Sequence, residues 1–164
     1  MMPRLKFGVR FVVGALFFIG AAAFVTARVA QDPQQDLARA RAATARYHDV
    51  DQAIADGYQN LDVVGCVPGE GCHFANFALV DCEFEPDRPE ILLYAPSPGG
   101  NSFQLAGVEY VVPLACSADA PEGFAGDADE WREDSEGFGL WEMTAWLWLH
   151  NPDGMFAEAN PRIQ

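Results

Sequence analysis

A tryptophan-rich run at residues 140–151 constrains the fold of this chain more than any other stretch. It contains Trp141, Trp146 and Trp148, three of the four tryptophans in the sequence. A run this apolar in an otherwise acidic chain has to be buried or to cover a ligand, because large aromatic surfaces are mostly buried in folded proteins. Its content of Trp, Thr and Leu predicts a β-strand over residues 140–149 that is covered on both faces.

Three shorter stretches upstream are rich in β-forming residues and are bounded by turn signals: 73–78, 91–94 and 103–112. The proline and glycine cluster at 96–101 predicts a hairpin between the last two. Strand alternation divides the third stretch into two faces, with Val108, Tyr110 and Val112 on one and Leu105, Gly107, Glu109 and Val111 on the other.

Apolar residues recur every three or four positions between residues 36 and 57, which predicts an N-terminal amphipathic helix. Asp49 is a good cap residue and offers a second start that would split this helix in two. One helix followed by three or four strands predicts an α+β domain, with the helix packed on one face of a three- or four-stranded antiparallel sheet. A cystatin-like or nuclear-transport-factor-like arrangement fits this order of elements.

The first 30 residues have the pattern of an export signal. Arg4, Lys6 and Arg10 precede an uncharged apolar run at 11–27, and small residues follow. Cleavage is expected after residue 27 or 30, and a single domain is expected at 31–164. The alternative is an uncleaved membrane anchor, since about 17 apolar residues is the shortest run that spans a bilayer. We therefore expect an exported protein, periplasmic or extracellular, that meets a membrane only through residues 1–30 if they are retained.

Four cysteines in a chain with an export signal predict up to two disulfides in an oxidising compartment. Three pairings are open, and the favoured one joins Cys66 to Cys72 and Cys82 to Cys116. No pair has the two-residue spacing of a zinc knuckle or a redox motif, which favours structural bridges.

The charge is strongly one-sided. From Gln31 onward the chain has six basic and 24 acidic residues, a balance of −18, and no lysine. Such a surface repels phosphate backbones and anionic lipids, which argues against nucleic acid as a partner. The acids either form a solvated surface or capture cations.

Six phrases resemble a family of small exported bacterial proteins of unknown function. Its motifs are Tyr-His-Asp, Gly-x-His-x-x-Asn and Ala-Trp-x-Trp-x-His-Asn-Pro-x-Gly-Met-Phe. The phrases lie at 45–49, 55–58, 71–76, 89–94, 105–110 and 145–156, so the resemblance covers most of residues 43–162. It implies export and brings no activity. The family pattern has a methionine where this chain has Glu70 and a histidine where it has Thr144.

All three histidines lie within these phrases. Neutral imidazole is a metal ligand, so His73 and His150 would form a two-histidine, one-carboxylate metal site with Glu109 if the strands bring them together. The alternative is that each histidine satisfies local hydrogen bonds. A transition metal is the one cofactor that these residues suggest.

The leading functional hypothesis is a binding module for a small molecule or a metal, with an aromatic-lined pocket. A metal-dependent or hydrolytic enzyme that uses the same residues, and a structural envelope protein without a ligand, are the alternatives. The sequence has no nucleophile elbow, phosphate loop or dinucleotide fingerprint, so it indicates no catalytic residues. The candidate ligand-binding residues are His73, Asn76, Glu109, Trp146, Trp148, His150 and Asn151.

Overall fold

The computed structural model describes residues 32–61, 66–97, 102–126, 128–135 and 137–164. The predicted export signal lies outside these residues. Within the described ranges, no helix is both long enough and apolar enough to span a membrane.

The helical region is built from three short segments: α1 at Pro33–Thr44, a 3-10 turn at Ala45–His48 and α2 at Val50–Ala55. The prediction of a second start at Asp49 is confirmed. One continuous amphipathic helix over 36–57 is not supported, because the tight turn interrupts it before the second cap.

Two aspartates set the starts of these helices. The carboxylate of Asp32 accepts a hydrogen bond from the backbone N–H of Gln34 at 3.0 Å, at the first turn of α1. The carboxylate of Asp49 accepts one from the N–H of Asp51 at 3.0 Å, at the first turn of α2. Each bond satisfies an amide that has no partner inside its helix.

The strands of the described residues form one antiparallel sheet in the order β1-β3-β4-β5-β7-β6, with β2 paired to β3. The predicted α+β class is thereby confirmed. Four strands correspond to the predicted ones, and three strands of two residues extend the sheet. The bounds are β1 (Gln59–Asn60), β2 (Cys66–Val67), β3 (Gly71–Ala75), β4 (Ile91–Pro96), β5 (Phe103–Pro113), β6 (Arg132–Glu133) and β7 (Leu140–Ala145).

A β-bulge interrupts the pairing of β4 with β5. Leu93 lies opposite Gly107 and Tyr94 opposite Leu105, so Ala106 is an extra residue in β5. The bulge turns Leu105 towards the core beneath the helices. The prediction that Leu105 shares a face with Gly107 is therefore wrong, because strict alternation fails across a bulge.

The predicted strand at 140–149 ends at Ala145. The backbone amides of Trp148 and Leu149 both donate to the carbonyl of Ala106, at 3.0 and 2.9 Å. The bulge thus offers an acceptor that draws the chain across the sheet. Residues after Ala145 form a bend, and the two tryptophans at 146 and 148 lie outside the strand.

Apolar side chains cover both faces of the sheet. The helices pack on the first face over a core that includes Leu37, Ala40, Tyr47, Ala53, Phe74, Leu92, Tyr94, Leu105, Val108, Tyr110, Met143 and Ala145. A smaller cluster covers part of the second face and consists of Ala75, Ile91, Leu93, Ala106, Val111, Trp146 and Ile163.

The favoured disulfide pairing is confirmed. Cys66 is bonded to Cys72, which is its cross-strand partner between β2 and β3. Cys82 is bonded to Cys116, which ties the loop before β4 to the turn after β5. Two disulfides fit an oxidising, exported location.

Candidate ligand-binding cavity

A cavity of about 380 Å³ lies on the second face of the sheet, away from α1 and α2. Its floor is made by alternate residues of four strands, because every second side chain of a strand points to the same face. Known ligand sites range from about 300 to 1,000 Å³. The floor residues are His73, Ala75, Ile91, Glu109, Val111, Leu140 and Glu142.

The described lining combines apolar walls with an ionisable cluster. The apolar walls include two phenylalanines that are largely exposed, Phe77 at 65% and Phe138 at 59%. The ionisable residues of the described lining are Glu70, Glu90, Glu109, Glu142, Glu158, Arg132 and His73.

His73 and Glu109 meet at the floor of the cavity. The Nε2 atom of His73 is 3.7 Å from Oε2 of Glu109 and 3.8 Å from Oε2 of Glu70. Both partners on the floor are buried, with His73 8% and Glu109 6% exposed. These separations are typical of ion pairs and are longer than direct hydrogen bonds.

Arg132 lies on the short strand β6 and reaches the same carboxylate. Its Nη2 atom is 3.7 Å from Oε1 of Glu109, and its Nε atom is 3.7 Å from Oε1 of Glu158. Its Nη2 atom also donates a hydrogen bond to the hydroxyl of Thr144 at 2.9 Å. Thr144 pairs with Glu109 in the sheet, and its hydroxyl lies 3.4 Å from the Glu109 carboxylate.

Glu90 stands at the point where β4 begins, and it is 4% exposed. Its Oε2 atom accepts a hydrogen bond from the backbone N–H of Val111 at 3.1 Å. Burial raises the pKa of Glu90 to about 8, because an ionised carboxylate loses its hydration there. At neutral pH this side chain is mainly a carboxylic acid, which can donate a hydrogen bond into the cavity.

Asp134 fixes the loop that places Phe138 at the cavity. Its carboxylate accepts backbone N–H bonds from Phe138 at 2.5 Å and from Gly139 and Leu140 at 2.8 Å. These donors favour the charged form, and the bond from Leu140 contributes most to a pKa of Asp134 below its ordinary value.

Of the seven predicted ligand-binding residues, His73 and Glu109 line the cavity. Asn76 instead donates to the carbonyl of Asp56 at 3.1 Å and accepts from the N–H of Ala78. Asn151 likewise donates to a backbone carbonyl, at residue 159, and accepts from the amide of residue 153. Both asparagines close turns, which satisfies their buried amides.

The two tryptophans predicted to line a pocket lie on opposite faces of the sheet and are not part of the described cavity wall. Trp146 packs over Gly107 on the second face, and its Nε1 donates to the carbonyl of Ala157 at 2.6 Å. Trp148 donates to the hydroxyl of Thr44 at 3.2 Å on the helix side. The bend after Ala145 separates the rings, so they contribute core packing.

The predicted metal site of His73, His150 and Glu109 is not assembled. His150 is exposed on the turn that follows the bend, and it is not among the residues that line the cavity. Across the described ranges, no group of three or more His, Cys, Asp or Glu side chains could hold a metal ion. The early end of β7 is the physical reason, because it diverts residue 150 away from the floor.

Sequence reasoning did not identify several cavity residues. Glu142 had a signal, since it alternates with Leu140 on one face of a strand that is otherwise largely apolar. Arg132 and Glu158 had none, because Arg132 reaches the site only through the pairing of β6 with β7 and Glu158 lies on an irregular segment after β7. Glu90 also had none, since its role depends on burial at a strand end.

Comparisons with protein-family models, curated proteins and solved structures found no match to this chain. The resemblance to a family of small exported bacterial proteins stays a prediction. Its two departures, Glu70 and Thr144, both lie at the ionisable cluster, where they approach His73 and Arg132 respectively.

Proposed function

We propose that this protein is exported and binds a small organic molecule in the cavity on the second face of the sheet. The observation that carries the proposal is one concave site that combines apolar walls with the cluster of His73, Glu109 and Arg132. Ligand sites in proteins are mostly apolar, with a few convergent polar groups that orient the ligand. The two disulfides support an oxidising location.

The proposal includes a cystatin-like or nuclear-transport-factor-like arrangement. Short helices packed on one face of an antiparallel sheet support it. The cavity lies on the other face of the sheet, which the helices leave uncovered.

Filling the floor of the cavity tests the proposal. Ala75→Leu adds volume at a lining position, and Ala42→Leu adds the same atoms at an exposed position of α1. A ligand found by screening organic molecules against the full chain with native mass spectrometry is then titrated into both variants. We expect Ala75→Leu to weaken binding at least about tenfold and Ala42→Leu to leave it unchanged. Equal binding by both variants, or no ligand in the screen, contradicts the proposal.

A hydrolase is a second candidate, favoured by Glu90. Its carboxyl has a pKa of about 8 and lines the same cavity as Glu109, so the site holds a proton donor together with a second carboxyl group, a combination that acid–base catalysis can use. Glu90→Gln would then abolish turnover while it leaves ligand binding in place. Binding without turnover of any ester, amide or glycoside tested leaves the binding module as the function.

A further inference from the structure

The described lining of the cavity carries an excess of negative charge. Five glutamates face one arginine, and the carboxyl of Glu90 is mainly neutral at pH 7 because of its burial. The remaining four carboxylates exceed Arg132 by three charges, or by two when His73 is counted as protonated. Charges act strongly in a site partly removed from water, so this lining favours a cation.

The cavity combines its acidic residues with apolar and aromatic walls. Its walls are largely apolar, and Phe77 and Phe138 expose their rings at its edge. Aromatic faces attract organic cations, and this attraction strengthens when the cation is removed from water. A metal ion would gain nothing from such walls, whereas an ammonium group on an apolar body would use both features.

Arg132 already places a cation at the buried carboxylate, but it holds the position loosely. Both of its ion pairs are 3.7 Å long. Arg39, which pairs with two aspartates on the helix side, makes contacts of 2.6 and 3.4 Å. Arg132 also lies on an edge strand of two residues, and its side chain is 27% exposed, so a ligand that displaces it has to break the hydrogen bond to Thr144 and the two long ion pairs.

Building on the proposed function, we infer that the ligand is an organic cation with an apolar body, and that the Arg132 guanidinium occupies the place of its charged group until the ligand binds. The ligand then displaces Arg132 from Glu109. Arg132 is therefore a competitor for the site, and removing it strengthens binding.

An anionic or zwitterionic ligand would use Arg132 in the opposite way, as its receptor. The contacts of Arg132 argue against this, because Glu109 and Glu158 already face the guanidinium and would repel a third carboxylate. Removing Arg132 should therefore strengthen the binding of a cation and weaken the binding of an anionic or zwitterionic ligand.

Calorimetric titration of the full chain with three probes of similar size separates the cases: phenethylammonium, phenylpropionate and free phenylalanine. The variants are Arg132→Gln and the matched control Arg39→Gln, which removes another arginine that pairs with two carboxylates. Thr144→Val removes the hydroxyl that accepts from Arg132 and donates to Glu109, and it serves if Arg132→Gln does not fold.

We expect the wild-type protein to prefer phenethylammonium. Arg132→Gln should bind it roughly tenfold tighter, Thr144→Val should change its affinity in the same direction, and Arg39→Gln should leave it unchanged. Unchanged or weaker binding of phenethylammonium by folded Arg132→Gln overturns the inference and leaves the proposed function in place. So does a wild-type preference for phenylpropionate or phenylalanine that is lost with Arg132. No binding of any probe by any variant overturns the inference, whereas the proposed function falls only if the screen of organic molecules finds no ligand.

Discussion

His73 on β3 and Glu109 on β5 meet across the intervening strand β4, with Nε2 and Oε2 3.7 Å apart. Neighbouring strands are about 4.8 Å apart, so side chains two strands away meet only when both are long and lean towards each other. Leu93 and Gly107 continue the cross-strand row of His73, whereas Ile91 is the cross-strand partner of Glu109, so the two side chains meet diagonally across β4. The charged floor of the cavity thus depends on the shape of the sheet.

Gly107 is required by the close approach of β7. A Cβ atom on Gly107 would lie 2.8 Å from the carbonyl oxygen of Ala145 and 3.1 Å from the ring of Trp146. Gly107→Ala should therefore lower the free energy of unfolding by about 2 kcal/mol, measured by urea denaturation. Gly137→Ala is the control, because its positive φ of 82° costs about 1 kcal/mol but nothing lies within 4 Å. A smaller loss of unfolding free energy for Gly107→Ala than for Gly137→Ala would show that β7 can move away from the added methyl group.

Glu90 should make stability fall as the pH rises. Its pKa is about 8 in the folded protein against an ordinary value of 4.5, so between these values the folded state keeps a proton that the unfolded chain has lost. The free energy of unfolding therefore decreases across this window and changes no further above it. Glu90→Gln still accepts the hydrogen bond from Val111 and has no proton to lose. Chemical denaturation should show that the free energy of unfolding of the variant rises relative to that of the wild-type protein from about pH 5 to about pH 9.

The exposed substitution Glu83→Gln is the control for that measurement. The free energy of unfolding of Glu83→Gln, relative to that of the wild-type protein, should not rise with pH as that of Glu90→Gln does. A Glu90→Gln difference that is constant with pH would mean that Glu90 is ionised in the folded protein.

Some of this architecture could be predicted because it is encoded locally. Asp49 caps the backbone two residues ahead, and a cap residue before a helical pattern is visible in sequence. The pairing of Cys66 with Cys72 closes a short loop, so the favoured connectivity needed no knowledge of the fold. Strand positions such as β4 followed from turn signals on either side.

The cavity could not be predicted because it depends on distant contacts. The bulge at Ala106 has no signal in the sequence, yet it ends β7 and removes His150 from the floor. Arg132 reaches Glu109 only because β6 pairs with β7. Strand alternation did place Glu109 on the same face as Val111, but it could not show which residues from other elements meet Glu109 there.

Asp134 should control the loop that carries Phe138. Asp134→Ala removes the acceptor of three backbone N–H bonds, so we expect a loss of about 1 to 2 kcal/mol and faster hydrogen exchange at the amides of Phe138 and Leu140. Asp134→Asn keeps one acceptor oxygen and should lose less. Because the pKa of Asp134 is lowered, its stabilisation is present above 3.8 and is lost as the pH falls below that value. Unchanged exchange in Asp134→Ala would mean that the loop is held by other contacts.

The two disulfides should differ in their effect on stability. Cys82 and Cys116 are 34 residues apart in sequence, whereas Cys66 and Cys72 are six apart. A longer closed loop restricts the unfolded chain more, so replacing Cys82 and Cys116 with serines should cost about 1.5 kcal/mol more than replacing Cys66 and Cys72. Denaturation of the two double variants measures this difference. A larger loss for the short loop would point to a native-state role of the bond between β2 and β3.

Binding of an organic cation in the cavity can be observed residue by residue by titrating phenethylammonium into the isotope-labelled protein and following backbone amide and arginine Nε signals by NMR. We predict that the shifts concentrate at His73, Glu109 and Glu142, and that the Arg132 Nε signal moves as its guanidinium leaves Glu109. The amides of α1, on the other side of the sheet, should not respond. Shifts centred on α1 and Trp148, or no shifts at saturating probe, would contradict a cation-binding site on this face.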